Sequence, residues 1–407
     1  MPRPYDLVLF GAGGFTGRQT VAHLARHPDA ARLRWAIAGR HRARLEAARD
    51  AAGEGARGID LLVADSADPA SVDAVVSRTR VLATTAGPFA RYGTPVVDAC
   101  VRHDTHYADI TGETPWVRGL IERHHERAAA RGTRLVPFCG FDSVPSDLGA
   151  FLLARHAREA HGVGVREVHG FFRMAGGLNG GTIATVLDTF ERGLGGGARD
   201  PFLLDPPVPH SEQQRARSQD VRPPFAVPAL GAWAGPFFMA PTNTRVVRRS
   251  AALHAQWGEP YGAEFTYEEY LAYRPPLAGV KAMLATGALG LFGAALAWRP
   301  TRRLVARALP RPGEGPSEAT MNGGWFTCDH LATTTDGRTL RARIANQGDP
   351  GNRSTVTFLC EAALALALDG DALPGGPTRG GVLTPATALG DVLAGRLRRA
   401  GVTIDVG

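Results

Sequence analysis

The chain has 407 residues, enough for two domains that each bury a core of their own. Its formal net charge of +7 comes almost wholly from arginine, and no basic stripe with interleaved aromatic residues accompanies it, so the charge does not indicate a nucleic-acid partner. The four cysteines lie far apart and form no CxxC pair. This spacing argues against a disulfide framework and a zinc site, and it favours a reducing cytoplasm.

A glycine-rich turn follows the first predicted strand. The apolar run YDLVLF is followed at once by GAGGFTG, which opens a predicted helix. Such a turn needs glycine because the backbone must approach a pyrophosphate closely and the helix must pack tightly on the strand. The free N–H groups at the helix start attract the phosphates. We predict that a dinucleotide binds here, at Gly11, Gly13, Gly14, Phe15, Thr16 and Gly17.

The end of the second predicted strand indicates which dinucleotide binds. The run LRWAIA is followed by Gly39 and Arg40, where an NAD or FAD site usually has an acid on the ribose 2′-hydroxyl. The missing carboxylate and the guanidinium of Arg40 favour the 2′-phosphate of NADP(H). The alternative is that Arg40 only begins a solvated helix.

Strands and helices alternate over residues 1–148, which predicts an α/β fold with a Rossmann-type, doubly wound parallel sheet. Strand ends in such sheets face the ligand crevice. Asp65 follows the third strand and is expected either near the adenine or as a helix cap. Ala86, Gly87 and Pro88 follow the fourth strand and are predicted to lie near the nicotinamide half.

Several motifs, in order, resemble a known family. GAGGFTG, AGR, TTAGPFARYGTPVVDAC, HYADITGE and PFCGFDSVPSDLGA are similar to those of saccharopine dehydrogenase-like oxidoreductases, and within them the trans-acting enoyl reductase group. PRPGEGPSE, QGDPG and GGVLTPATALGD extend the resemblance into the C-terminal half. The resemblance implies NADP-dependent reduction, in some members of a carbon–carbon double bond in a lipid or polyketide intermediate carried by another protein. It does not fix the substrate.

Residues 149–375 are predicted to form a second, α+β domain for substrate binding or dimerisation, built on a mostly antiparallel sheet. Its strand-like runs are 167–172, 245–254, 325–331, 340–344 and 354–358. The glycine-rich segment 179–182 is expected either to begin a helix that faces the substrate or to be a plain helix entry. The resemblance implies that residues 376–407 return to the Rossmann domain.

An uncharged apolar segment, 282–298, ends in a tryptophan and is followed by clustered arginines. A buried core helix, a dimer-forming helix, a helix on a membrane surface and a membrane span are all consistent with this composition. We therefore expect a cytoplasmic protein, with peripheral attachment to the inner face of the plasma membrane through residues 282–311 as one of the alternatives.

Reduction of an enoyl thioester requires a proton donor beside the cofactor. The candidate catalytic residues follow strands of the parallel sheet, and they are Tyr107, Asp109, Cys139 and Asp142. No spacing among them identifies a catalytic pair. No metal is expected, because His124 and His125 are adjacent on a predicted helix and therefore point apart.

The leading hypothesis is a stand-alone NADPH-dependent enoyl reductase that acts on a lipid or polyketide acyl substrate, either free or bound to a carrier protein. One alternative is a saccharopine-type dehydrogenase acting on an imine or amino acid, with arginines of the second domain binding its carboxylates. Another is a membrane-associated regulator that binds NADP without turnover. A homodimer is compatible with each.

Overall fold

The computed structural model describes residues 3–177, 180, 187, 191, 200–220, 222–308 and 313–407. Two seven-stranded sheets organise this part of the chain. All strands of sheet A are parallel. In spatial order they are β13 (Gly381–Val382), β6 (Arg134–Val136), β5 (His106–Asp109), β4 (Thr79–Thr84), β1 (Tyr5–Phe10), β2 (Trp35–Gly39) and β3 (Asp60–Val63).

The central strands of sheet A are continuous apolar runs because helices cover both faces. All of β2, and β1 apart from Asp6, is buried. The crossover helices are α1 (Phe15–Arg26), α2 (Arg42–Ala52), α3 (Pro69–Val76), α4 (Phe89–Arg102) and α5 (Thr114–Ala130). These observations confirm the predicted Rossmann-type fold, and the carboxyl ends of the strands meet along one edge of the sheet.

Sheet B is mostly antiparallel, as predicted, with one parallel pair, β7 and β10. In spatial order its strands are β14 (Thr403–Val406), β12 (Thr339–Gln347), β11 (Trp325–Thr334), β7 (Val165–Ala175), β10 (Thr266–Tyr273), β9 (Ala232–Pro236) and β8 (Phe225–Val227). Helices α6 (Val144–His161) and α8 (Ala240–Gln256) pack against it. The short helices α7 (Glu212–Arg217) and α11 (Glu318–Gly323) lie in its connections.

Two of the predicted strands are wrong. Residues 245–254 lie in helix α8, where arginine side chains point inward, so the buried face did not read as apolar. Residues 354–358 fall at the start of helix α12 (Thr355–Leu368), in which every residue from Thr355 to Ala367 is buried. A helix that is buried on all sides carries no 3.6-residue apolar period, so its β-branched start resembled a strand. The segment 179–182 includes residues outside the described ranges.

The C-terminal part of the chain joins both sheets. Helix α12 packs on strands β1, β4 and β5, so the chain is back on sheet A before residue 376. Strand β13 then pairs with β6, and α13 (Pro385–Arg399) packs on α12 and α6. The final strand, β14, pairs with β12 in sheet B. The return to the Rossmann sheet is therefore followed by a return to the second sheet.

The apolar segment forms α9 (Ala278–Ala297), which is followed by α10 (Arg299–Ala308). Helix α9 rests on β9 along one stripe, and only Ala278, Ala282 and Leu296 of the helix are buried. A core helix would be buried on most sides, so the core interpretation is wrong. By length and composition alone α9 could cross a membrane, which by itself is weak evidence.

Candidate active site

Backbone hydrogen bonds and a positive φ angle shape the glycine turn between β1 and α1. Gly11 has a φ of +84°, which favours glycine, and the N–H groups of Gly11 and Ala12 both donate to the carbonyl oxygen of Ala38, at 2.9 and 3.2 Å. Gly14 is the N-cap of α1 and supplies no side chain to the helix start, while Phe15 and Thr16 begin the first turn. The first N–H groups of α1 can therefore donate to a phosphate.

The glycines in this turn have different roles. A Cβ atom on Gly17 would overlap the carbonyl oxygen of Gly11, so Gly17 lets the helix pack on the turn. At Gly14 the nearest atom to such a Cβ would be 3.4 Å away, and the residue is exposed. At Gly13 the neighbour would be the Cβ of Arg44, at 3.0 Å. Room for a ligand therefore exists beside Gly14, and pyrophosphate binding there stays a prediction.

The end of β4 lies against the same turn. A Cβ on Gly11 would come within 2.9 Å of the Ala86 nitrogen, and the Thr85 N–H donates to the Phe10 carbonyl oxygen at 3.1 Å. Gly87 and Pro88 continue from there into α4. The structure thus brings the segment 86–88 beside the glycine turn.

Arg40 and Asp65 follow neighbouring strands. Arg40 comes directly after β2 and is exposed, and Ala64 donates to the Gly39 carbonyl oxygen at 3.1 Å, which places the end of β3 alongside. Arg40 is therefore accessible to a 2′-phosphate. The Asp65 carboxylate accepts a 3.0 Å hydrogen bond from the N–H of Ala67, which closes its own turn. The N-cap of α3 is Asp68, whose carboxylate accepts from the N–H of Ala70 at 3.1 Å, so the helix-cap alternative for Asp65 is wrong and its position near the adenine stays a prediction.

Segments from the second half of the chain cover the start of α1. Gly315 lies directly against the ring of Phe15, where no side chain would fit. The Arg353 guanidinium donates to the Gln19 side-chain oxygen at 3.0 Å. The motifs PRPGEGPSE and QGDPG predicted no role for Gly315, Gln19 or Arg353. Glycine spacing was the available signal for Gly315.

Tyr107 and Asp109 form a buried pair at the end of β5. The Tyr107 hydroxyl donates to Asp109 Oδ2 at 2.7 Å, and Asp109 Oδ1 accepts from the N–H groups of Thr111 and Phe138 at 2.9 and 3.2 Å. Both side chains are fully buried. Burial raises the pKa of Asp109 to about 7, against the hydrogen bonds that lower it. The pair holds the loops after β5 and β6 together, and its catalytic role stays a prediction.

Cys139 and Glu113 also have structural partners. The fully buried Cys139 thiol donates to the Val136 carbonyl oxygen at 3.3 Å, and burial raises its pKa. Glu113 accepts hydrogen bonds from the N–H groups of Phe89 and Ala90 at 2.7 and 2.8 Å. Its carboxylate therefore caps the first turn of α4.

Asp142 differs from the other candidates because its side chain is partly exposed. It lies in the loop after β6, two residues before α6 begins. Burial raises the pKa of Asp142 to about 6. Within the described ranges its carboxylate has no hydrogen bond or ion pair, which leaves it available to a ligand. Its catalytic role stays a prediction.

A buried hydrogen-bond network, which no sequence pattern predicted, lies beside Asp142. Ser143 donates to the Asn243 oxygen at 3.1 Å, and the Asn243 amide donates to Glu269 at 2.7 Å. Ser146 and Tyr267 also donate to Glu269, at 2.7 and 3.0 Å. The network fixes the start of α6 against α8 and β10. Polar residues on separate elements gave no local pattern by which to find it.

The described residues include no group of three His, Cys, Asp or Glu side chains that could hold a metal ion.

Comparison with known proteins agrees with this geometry. Residues 7–136 match the family model of the saccharopine dehydrogenase NADP binding domain. The chain is 40% identical to a protein of Mycobacterium tuberculosis (strain H37Rv) whose name as a trans-acting enoyl reductase is provisional. It is 38% and 37% identical to trans-acting enoyl reductases of Mycobacterium ulcerans and Mycobacterium bovis (strain BCG). Each alignment covers 99% of this chain and 97% of the relative.

Two solved structures share the fold over nearly the whole chain. Saccharopine dehydrogenase from Saccharomyces cerevisiae has a TM-score of 0.56 at 13% identity, covering 98% of this chain and 99% of that one. Homospermidine synthase from Legionella pneumophila has a TM-score of 0.53 at 10% identity, covering 98% and 90%. At these identities the likeness concerns the fold alone. The glycine turn, the exposed Arg40 and the full-length relatives together place the chain in the trans-acting enoyl reductase family, as an NADP-dependent oxidoreductase with a saccharopine dehydrogenase-like fold.

Proposed function

We propose that this protein reduces the carbon–carbon double bond of an enoyl thioester in a lipid or polyketide intermediate carried by another protein. The names of its full-length relatives support this activity. The observation that supports NADPH binding is the space beside Gly14 at the start of α1. When bound, NADPH supplies the hydride for the β-carbon of such a substrate. Gly14 and the first N–H groups of α1 would hold its pyrophosphate, and Arg40 would hold the 2′-phosphate.

Asp142 is our candidate to deliver the proton to the α-carbon. Its partly exposed carboxyl has no hydrogen bond or ion pair within the described ranges, and burial raises its pKa to about 6. A group with that pKa can be protonated and still exchange its proton near neutral pH. The side chains of Tyr107, Asp109 and Cys139 are fully buried and already form hydrogen bonds. We therefore propose that they position the loops after β5 and β6, the second of which carries Asp142.

Imine reduction is disfavoured by the second-domain arginines. Arg245 is buried and pairs with Asp220 at 2.8 Å. Arg248 donates to the carbonyl oxygens of Pro201 and Tyr267, both at 2.9 Å. Arg249 donates to backbone carbonyl oxygens as well. These guanidiniums connect α8 to neighbouring segments, so they are not available to bind a substrate with several carboxylates. Arg173 lies over the Trp325 ring, at 5.7 Å.

The exposed side of α9 supports contact with an anionic membrane surface. Met283, Leu284 and Leu291 are 57, 70 and 75% exposed, and Trp298 at the helix end is 64% exposed. Residues 270–313 contain no acid, while α10 presents Arg299, Arg303 and Arg307 to solvent. Two copies packed through this face would oppose like charges, whereas anionic headgroups complement them. We therefore propose that the protein attaches peripherally to the inner face of the plasma membrane through α9 and α10.

Oxidation of NADPH, followed by absorbance, tests the activity. One sample receives an enoyl thioester, a second receives a keto acid with an amine, and a third receives no substrate. The proposal predicts turnover in the first sample alone. Turnover only with the keto acid and amine would identify an imine reductase, and binding of NADPH without turnover in any sample would identify a regulator. Either of those results would overturn the proposal.

A further inference from the structure

A second cavity lies outside the cofactor crevice, along the outer face of α1. Its volume is about 720 Å³, and α11, α12 and α13 form its other walls. Successive turns of α1 contribute Gln19, His23 and Arg26 to the lining. Arg26 ends the helix, whose phosphate-binding end begins at Phe15. At 1.5 Å per residue, His23 and Arg26 lie about 12 and about 16 Å along the helix from Phe15, so both are distant from the proposed cofactor phosphate site.

The carboxylates of this cavity are already engaged. Arg396 contacts Asp29 at 3.0 Å and Glu361 at 3.3 Å, and Glu361 also pairs with His27 at 2.9 Å. Glu318 pairs with Arg353. Each acid in the lining therefore has a cationic or imidazole partner from the cavity wall itself. A cation entering the cavity would find no free negative group among the described lining residues.

In contrast, the lining of this cavity has more unpaired hydrogen-bond donors than unpaired acceptors among the described residues. Arg26 and Arg399 are exposed and form no ion pair within the described ranges. The Gln19 side-chain nitrogen is buried and has no hydrogen-bond partner there. His23 is partly buried and makes no hydrogen bond in the same ranges, and burial lowers its pKa to about 4, so its neutral ring can donate one proton.

We propose that this cavity binds a multiply charged oxyanion, with phosphate as the simplest example. Two guanidiniums, an amide N–H and an imidazole N–H match several oxygen atoms on one ligand, which a phosphate offers and a monocarboxylate offers less well. The proposal does not depend on the reaction that the crevice catalyses. It assigns a function to polar residues of α1 that follow its first turn.

The test uses the NADPH-saturated protein, so that the glycine turn is already filled. Calorimetric titration with inorganic phosphate at constant ionic strength is expected to give one site per chain, and acetate is expected to bind at least tenfold more weakly. The ring signal of His23 in an NMR spectrum should shift with phosphate. The double variant Arg26→Gln/Arg399→Gln should lose at least tenfold in phosphate affinity, while Arg341→Gln, an exposed arginine outside the cavity, should bind phosphate as the wild type does.

NADPH titration of each variant shows whether its fold is intact. The wild-type His23 shift locates the site even if the double variant does not fold. Absence of phosphate binding to the NADPH-saturated wild type would overturn the proposal. So would equal affinity for acetate and phosphate, unchanged phosphate affinity in a folded double variant, or binding that leaves the His23 signal in place.

Discussion

Gly17, in the first turn of α1, lies directly against the carbonyl oxygen of Gly11, whereas a Cβ on Gly14 would make only an ordinary contact with the same oxygen, at 3.4 Å. This contrast separates folding from cofactor binding. Gly17→Val should lower the free energy of unfolding by about 1–3 kcal/mol, because its side chain would collide with the turn. Gly14→Val should stay folded, since the φ of −78° suits any residue.

For Gly14→Val we expect at least a hundredfold loss of NADPH affinity, because the side chain fills the pyrophosphate space. Thermal unfolding followed by circular dichroism reports on the fold, and NADPH fluorescence reports on binding. A folded Gly14→Val variant with wild-type NADPH affinity would show that the glycine turn has another role.

Arg40→Asp should invert or abolish the preference for NADPH over NADH. The exposed guanidinium after β2 is replaced by a carboxylate, which repels the 2′-phosphate of NADPH and accepts a hydrogen bond from the 2′-hydroxyl of NADH. A loss of at least tenfold in NADPH affinity corresponds to about 1.4 kcal/mol. Arg57→Gln, at a side chain that is 80% exposed in a pair with Glu54, serves as the matched control and should bind as the wild type does. Equal wild-type affinities for the two cofactors would contradict the assignment.

Asp142→Asn should lower kcat by about 100-fold to 10,000-fold, because the proton donor is lost. NADPH affinity should be unchanged, because the substitution removes no proposed contact with the cofactor. The pKa of Asp142 is raised to about 6, and a general acid acts in its protonated form. Wild-type kcat/KM should therefore be level below pH 6 and fall above it, and this fall should disappear in the variant.

Tyr107→Phe is the matched control for Asp142→Asn. It removes a buried hydrogen bond to Asp109 and should cost about 1–3 kcal/mol of stability while retaining most of kcat. If Tyr107→Phe abolishes turnover in a folded protein and Asp142→Asn does not, the proton donor has been misassigned.

The wild type should co-sediment with vesicles that contain anionic lipid, and less so as salt rises, because electrostatic attraction near the surface is screened. The triple variant Arg299→Gln/Arg303→Gln/Arg307→Gln should lose binding by about 3 kcal/mol, at about 1 kcal/mol per arginine. Arg302 is omitted because it is only 9% exposed. NADPH affinity should not change. A folded, NADPH-binding sample that ignores anionic vesicles at low salt, or that forms a dimer through α9, would refute membrane contact.

Local patterns made the first domain predictable from the sequence. The glycine turn, the missing acid before Arg40 and the strand ends are each encoded within a few neighbouring residues, and the structure brings the predicted glycines and the segment 86–88 together. The apolar segment was also recognisable, but only the structure shows that its face is uncovered.

Contacts between segments that are distant in the sequence could not be predicted from local sequence patterns. The network from Ser143 through Asn243 to Glu269 joins three elements. The contact between Phe15 and Gly315 joins residues 300 positions apart. Helices α8 and α12 were mistaken for strands because their buried surfaces carry arginine in one case and extend all round the helix in the other.

Transfer of deuterium from NADPH labelled at the nicotinamide C4 to an enoyl thioester tests the central claim most directly. Mass spectrometry of the product after reaction in ordinary water should find one deuterium at the β-carbon and a solvent-derived proton at the α-carbon. In Asp142→Asn the same product should form far more slowly. A product without deuterium, or NADPH oxidation that leaves the double bond intact, would contradict the account.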